Sequence, residues 1–244
     1  MKHLLIVGRP GIGKTSLLKR LTHTLRKFPI DGFLTEESRE EEQRVGFWLS
    51  SLDGRQVLLA HRHMNSPVHV GPYKVNVSVL EHVAVPIVQR AMTQATILFL
   101  DELGKMELSS KPFEHAVQHA FDRGTASIVA TAGVSSLPFV DTLKRRKDIE
   151  LIPLSASNRS AVHEELIARL TALCAEDDAI RAIQSQADRI CDMIVSQDAT
   201  SLDIEIQQTT LREMVARLFP DKDALYHLVY ELRFRRLWQQ FRHH

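Results

Sequence analysis

Gly8-Arg9-Pro10-Gly11-Ile12-Gly13-Lys14-Thr15 fits the pattern G-x-x-x-x-G-K-[ST], and it lies between two different periodicities. Upstream, His3-Leu4-Leu5-Ile6-Val7 is a short, nearly continuous apolar run, the signature of a strand buried on both faces. Downstream, Leu17, Leu18, Leu21 and Leu25 recur at helical spacing. A strand, a glycine turn and a helix in that order make a phosphate-binding loop. The glycines let backbone N–H groups turn inward around an anion, and the helix start adds its positive end. In such a loop Lys14 reaches the β- and γ-phosphate oxygens and the Thr15 hydroxyl ligates Mg²⁺. The candidate nucleotide-binding segment is therefore Gly8, Arg9, Pro10, Gly11, Ile12, Gly13, Lys14, Thr15 and Ser16.

A phosphate loop needs an acid at the end of another buried strand to hold the metal shell. Thr96-Ile97-Leu98-Phe99-Leu100 is the clearest such strand, and Asp101 ends it. Asp101 is assigned to Mg²⁺ with Thr15. Glu102 follows directly and is assigned as the general base that orients water, the alternative being a local salt bridge with no proton work. Gly104-Lys105 turns the chain back, leaving Lys105 either to stabilise transferred charge or to sit in solvent. Lys14 and Glu102 are thus the candidate catalytic residues.

Further strands are expected at Gly32–Thr35, Val45–Leu49, Gln56–Ala60, Ser127–Thr131 and Ile149–Leu154, with Asp53-Gly54 as a hairpin turn. Residues 61–74 read as irregular. Helices are expected from Val85 to Ala95, from Ser110 to Arg123 with a serine cap and Gly124 as stop, and from Ser157 to about Ala175. Strands alternating with helices predict an α/β, three-layer fold with a mainly parallel sheet over residues 1–174. Residues 175–244 differ. Ile180, Ile183, Ala187, Ile190 and Ile194 mark one helix face, and Leu202, Ile204 and Ile206 alternate like a short strand. Leu211, Met214, Val215, Leu218 and Phe219 return to helical spacing, and a last helix starts at Asp221 or Asp223 and runs to about Arg242. A C-terminal, mostly helical appendage is expected there.

Composition agrees with this division. The 244 residues are 44% hydrophobic and 25% charged, enough for one large domain or one domain with an appendage. Thirty-one Lys and Arg against 30 acids give a net charge of +1, which argues against a nonspecific nucleic-acid coat. Cys174 and Cys191 cannot build a disulfide scaffold, and with no apolar run long enough for a bilayer a reduced, cytoplasmic setting is expected. Of 10 glycines, three fall between positions 8 and 13 and none after Gly133, which favours long helices in the rear.

Gly32-Phe33-Leu34-Thr35-Glu36-Glu37-Ser38-Arg39, Arg44-Val45-Gly46-Phe47 and Asp101-Glu102-Leu103-Gly104-Lys105-Met106-Glu107-Leu108 resemble three signature blocks of the THEP1-type nucleoside triphosphatases. Leu143–Arg146, Ile149–Ile152 and Asn158-Arg159 are similar to that family's closing block. The resemblance runs over about residues 3–172. It implies slow, Mg²⁺-dependent hydrolysis of nucleoside triphosphates with broad base tolerance, and it places Leu98, Phe99, Leu100, Asp101, Glu102, Leu103, Gly104 and Lys105 along the nucleotide. One departure stands out: Glu40-Glu41-Glu42-Gln43 replaces the family's glycine-containing turn.

Some readings stay open at this level. Thr35, Glu36, Arg39 and Arg44 suit either a nucleotide-sensing loop or a charged strand edge, and Asn158-Arg159 either touches the base or starts a helix. Phe234, Leu237, Trp238 and Phe241 form one face of the last helix, with Arg233, Arg235, Arg236 and Arg242 elsewhere around it. That face suits a membrane surface, a nucleic acid or a protein partner, or docks on residues 180–219. A monomeric Mg²⁺-dependent triphosphatase is the leading expectation. A kinase on the same scaffold and a nucleotide-dependent switch acting through a partner of the C-terminal helix are the alternatives.

Overall fold

A computed structural model describes residues 3–196, 198–220 and 224–242. Asp221 and Asp223, the two expected starts of the last helix, lie outside the described residues, as do His243 and His244. The described part divides into two compact units, Met1–Cys174 and Ala175–His244.

The first unit is built on one nine-stranded sheet in the order β5-β6-β4-β3-β2-β7-β8-β1-β9. The strands are β1 (His3–Val7), β2 (Ile30–Glu40), β3 (Gln43–Ser51), β4 (Gln56–His61), β5 (His69–Val70), β6 (Tyr73–Val75), β7 (Ile97–Leu100), β8 (Ser127–Ala132) and β9 (Ile149–Pro153). Strands β2, β7, β8, β1 and β9 pair in parallel, and β3, β4, β6 and β5 extend the sheet antiparallel. The apolar runs of β1 and β7 are explained by burial on both faces. Leu5, Leu98 and Leu100 pack on one side against Ile87, Val88 and Ala91 of α3 (Val85–Gln94) and Phe113 and Val117 of α4 (Lys111–Arg123). Leu4, Ile6, Ile97 and Phe99 pack on the other side against Leu17, Leu18 and Leu21 of α1 (Lys14–Leu25). Val140 and Leu143 of α5 (Pro138–Lys144) join the first layer, and Leu166, Leu170 and Cys174 of α6 (Arg159–Ser196) join the second. Ser110 caps α4 by accepting from the Phe113 N–H at 3.2 Å.

Several details depart from the sequence reading, α5 among them. The expected strand at residues 32–35 is 11 residues long, and residues 61–74 contain the two short strands β5 and β6. A short helical turn, α2 (Val77–Val79), and a π-helical turn, Leu80–Ala84, lead into α3. The helix expected to stop near Ala175 continues as a single 38-residue helix to Ser196. Nothing in the stretch between Leu154 and Ser196 is Gly or Pro, so no breaker stops it.

Leu202, Ile204 and Ile206 are not a strand: they belong to α7 (Ser201–Leu218). Thr200 and Asp203 close a capping box around its first turn, which fixes a helix start. Only Ile204 enters the core, while Leu202 and Ile206 are exposed.

The second unit has its own core. Ile183, Ala187, Ile190 and Ile194 meet Ile204, Leu211 and Val215 of α7 and Tyr226 of α8 (Ala224–Tyr226). Phe234 of α9 (Leu232–Phe241) completes it, and Leu237 and Trp238 pack against it. The aromatic face of the last helix is therefore spent on its own unit. Arg242 donates to the carbonyls of Met193 (2.6 Å), Ala199 (2.7 Å) and Ile194 (3.1 Å), two of them in the last turn of α6.

Candidate nucleotide site

The site forms where the carboxyl ends of the parallel strands meet the start of α1, the usual place for ligands on open α/β sheets. Gly11 (φ 75°) and Gly13 (φ 102°) hold left-handed conformations that only glycine adopts cheaply, and α1 begins directly after them. Gly32 (φ 137°) is needed for a different reason: a Cβ there would stand 2.0 Å from the Phe99 carbonyl oxygen, so glycine lets β2 close on β7.

Lys14 is the only buried lysine among the described residues. Its ammonium donates to the carbonyl oxygens of Gly8 (3.2 Å) and Arg9 (3.4 Å) and stands 3.1 Å from the Glu102 carboxylate. Glu102 is therefore in a salt bridge, and its partner is the lysine of the glycine loop. Its side chain keeps about a third of its exposure, so water reaches it.

Asp101 is fully buried. One carboxylate oxygen accepts from the Thr131 hydroxyl at 2.6 Å, the Thr15 hydroxyl is near enough to favour the ionised carboxyl, and the Thr35 hydroxyl donates to its backbone carbonyl. The other carboxylate oxygen, Oδ2, has no hydrogen-bond partner. Burial pushes the Asp101 pKa up, the threonine donors pull it down, and the Glu102 charge raises it again. A buried carboxylate with an oxygen left over beside a threonine hydroxyl is costly unless a cation or proton completes it. These oxygen donors fit Mg²⁺.

The loop after β7 is pinned at both ends. Leu103 N–H donates to the Thr131 carbonyl at 2.8 Å, and Gly104 N–H donates to the Glu107 carboxyl at 3.2 Å. Glu107 is 3% exposed, and burial raises its pKa to about 8, with the Glu102 and Asp101 charges adding to the shift. Glu107 has no role in the sequence expectations. Its Gly104-x-x-Glu107 spacing, which resembles a cap, was the available signal.

Lys14, Thr15, Glu102 and Glu107 open onto one cavity of about 550 Å³, whereas Asp101 is fully buried beneath it and does not line it. Pro10, Gly11, Gly13, Lys14, Thr15 and Ser16 line it on one side, with Glu102, Gly104 and Lys105 on another. Gly8, Arg9 and Ile12 complete the loop behind them. Leu98, Phe99 and Leu100 do not line the cavity, because all three are fully buried in β7 and support the site from within the sheet. Leu103 is buried as well.

Thr35, Glu36 and Arg44 belong to the cavity, but Arg39 does not: it pairs with Glu37 at 2.6 Å. Glu36 is held below its usual pKa first by its bond to Lys19 and also by the Ser50 hydroxyl at 3.0 Å. Burial opposes ionisation of Glu37, but Arg39 and Arg44 outweigh it and lower its pKa. Asn158 accepts from Ser155 N–H and donates to the Pro153 carbonyl, both at 2.8 Å, and Arg159 begins α6. Both lie off the cavity, so the helix-start reading describes them.

A family model described as NTPase matches residues 3–167. The nucleoside-triphosphatase THEP1 of Thermotoga maritima is 41% identical over 167 residues, covering 68% of this chain and 94% of that protein. The human cancer-related nucleoside-triphosphatase is 29% identical over 180 residues, covering 68% of this chain and 95% of its own length. The crystal structure of THEP1 from Aquifex aeolicus superposes with a TM-score of 0.62 at 33% identity, covering 69% of this chain and 98% of that one.

Proposed function

Because the chain belongs to this NTPase family, we propose that its first 174 residues hydrolyse the β–γ anhydride of nucleoside triphosphates, releasing diphosphate and phosphate. On this reading residues 175–244 are a separate extension, outside the matched stretch. The observation that carries the assignment is the convergence of Lys14, Thr15, Asp101 and Glu102 at the glycine loop.

Each residue then has a physical task. The loop amides and Lys14 take the phosphate charge, which is the main requirement of a phosphoryl transfer step. Thr15 and Asp101 would hold Mg²⁺, which, when bound, neutralises charge on the β- and γ-oxygens. Glu102 shares Lys14 with the phosphates. An arriving triphosphate gives the ammonium a stronger anionic partner, and Glu102 is then left to orient water and accept its proton. Thr35 fixes the end of β7 against β2 and keeps Asp101 in register with the loop. No helix among the described residues is long and apolar enough to cross a membrane.

The test is steady-state phosphate release from ATP, GTP, CTP and UTP, with and without Mg²⁺. Release should occur from all four and depend on the metal. Lys14→Ala should abolish it together with most triphosphate affinity. Glu102→Gln should retain binding and slow turnover by about 10²-fold or more, the scale of a lost general base. Turnover at the parental rate in Glu102→Gln would exclude the general-base assignment.

A further inference from the structure

Phosphate and metal recognition use amide, ammonium, hydroxyl and carboxylate groups, and these fill only part of the cavity. The rest is chemically different. Phe47, Val70 and Met106 line it, each partly exposed, and none has a task on a phosphate. Arg44 is fixed beside them: it donates to Tyr73 Oη at 3.0 Å and to the Glu37 carboxylate at 2.9 Å. Its guanidinium stands 5.4 Å over the Phe47 ring and 5.7 Å over the Tyr73 ring, and the two rings meet edge to face at 5.1 Å. Two hydrogen bonds and two ring contacts make this arginine a preorganised flat surface rather than a loose solvent charge.

We propose that this wall docks a nucleoside, whose base stacks on the Phe47–Arg44 surface beside Val70 and Met106. The inference rests on the triphosphate reading of the glycine loop. A ligand that is anionic at one end and a flat aromatic at the other matches a cavity divided in the same way. The volume of about 550 Å³ lies within the roughly 300–1,000 Å³ of small-molecule sites. Among the described residues no Asn, Gln or His lines the cavity to read a base edge. Stacking uses the π-face common to all bases, so this wall supplies affinity with little discrimination among them. The nucleoside comes either from the hydrolysed triphosphate itself or from a second nucleotide held beside it.

Equilibrium binding of a non-hydrolysable ATP analogue and of inorganic tripolyphosphate, both with Mg²⁺, tests the proposal in Phe47→Ala and Phe47→Trp. Phe47→Ala should weaken the ATP analogue by about tenfold, the scale of one lost base–aromatic stack, and Phe47→Trp should restore it. Tripolyphosphate should bind both variants as it binds the parent, which also shows that the loop remains folded. A parallel titration with AMP, on protein saturated with the analogue, separates the sources. If Phe47→Ala spares the analogue and removes AMP binding, the docked nucleoside belongs to a second nucleotide. Equal weakening of the analogue and tripolyphosphate, or no effect on the analogue or AMP, overturns the proposal. Failure of the triphosphate reading is separately visible, as tripolyphosphate binding that survives Lys14→Ala.

Discussion

The two units bury different things. In Met1–Cys174, four acidic or basic side chains among the described residues are withdrawn from water: Lys14, Asp101 and Glu107 cluster at the nucleotide site, and His163 of α6 lies away from it. Among the described residues of Ala175–His244, no charged side chain is buried, and the core is Ile, Leu, Val, Ala, Cys, Tyr and Phe. The first unit gives up stability to hold charges that a ligand can use, because a desolvated ion is costly without a partner. The second unit makes no such sacrifice. Chemistry and packing should therefore respond to mutation separately.

The largest expected separation is at Asp101. Asp101→Asn keeps the shape and the Thr131 contact but removes the anion. Hydrolysis should fall about a thousandfold, the scale of losing a group set against developing charge. The nucleotide-free protein should melt at a higher temperature, because a buried carboxyl with a raised pKa and one oxygen without a partner has been neutralised. A loss of activity with a lower melting temperature would remove the claim that this charge is kept for ligand binding. The reciprocal variant is Ile190→Ala in the second core, fully buried at 0% exposure. It should cost about 3 kcal/mol through lost burial and a cavity, read by denaturant unfolding, while phosphate release stays at the parental rate.

A smaller effect concerns Glu107, whose pKa rises from 4.5 to about 8 through burial first and then through the neighbouring carboxylates. Below about pH 4.5 it is protonated in both folded and unfolded chains. Above that the unfolded chain ionises while the fold keeps its proton, so stability falls with rising pH until about 8. The slope from this one group reaches at most about 1.4 kcal/mol per pH unit. Glu107→Gln can still accept from Gly104 N–H and has nothing to titrate. Urea midpoints of the nucleotide-free protein at pH 5 and pH 8 should therefore differ less in the variant than in the parent.

The same contrast explains what could be read before the fold was known. Strands β1, β7 and β8 are buried on both faces, so their apolar runs are unambiguous, and the glycine loop follows from its spacing alone. The hairpin across Asp53-Gly54 follows from its turn chemistry. Leu202, Ile204 and Ile206 misled because alternation signals a strand only if all three are buried, and two are exposed. The better signal was Thr200-x-x-Asp203, a cap that requires no tertiary contact. At the site, the convergence of Lys14, Thr15, Asp101 and Glu102 is legible because their positions attach to fixed offsets from the glycine loop and from the end of β7. Phe47, Val70, Met106 and Glu107 are not, because their place at the cavity depends on how β3, β5 and the loop after β7 are packed.

Two turns sharpen the comparison at the smallest scale. The phosphate loop uses glycine at its left-handed positions, where backbone must also face an anion. The β2–β3 hairpin uses Glu41 (φ 45°) and Glu42 (φ 65°) between the paired residues Glu40 and Gln43. A two-residue turn with both residues left-handed favours Asn-Gly, because a side chain in that conformation crowds its own carbonyl. Here the strain is compounded by a run of three like charges, Glu40, Glu41 and Glu42. Replacing Glu41 with Asn and Glu42 with Gly should add about 1 kcal/mol of stability, the glycine's extra freedom when unfolded offsetting part of the gain. The melting temperature should rise by a few degrees, about 2–4 °C per kcal/mol for a chain this size. The rate of hydrolysis should not change, since Arg44 keeps its bonds to Glu37 and Tyr73. If the variant melts lower, the glutamates hold the hairpin by interactions that outweigh the left-handed cost, and this turn is not the relaxed counterpart of the glycine loop.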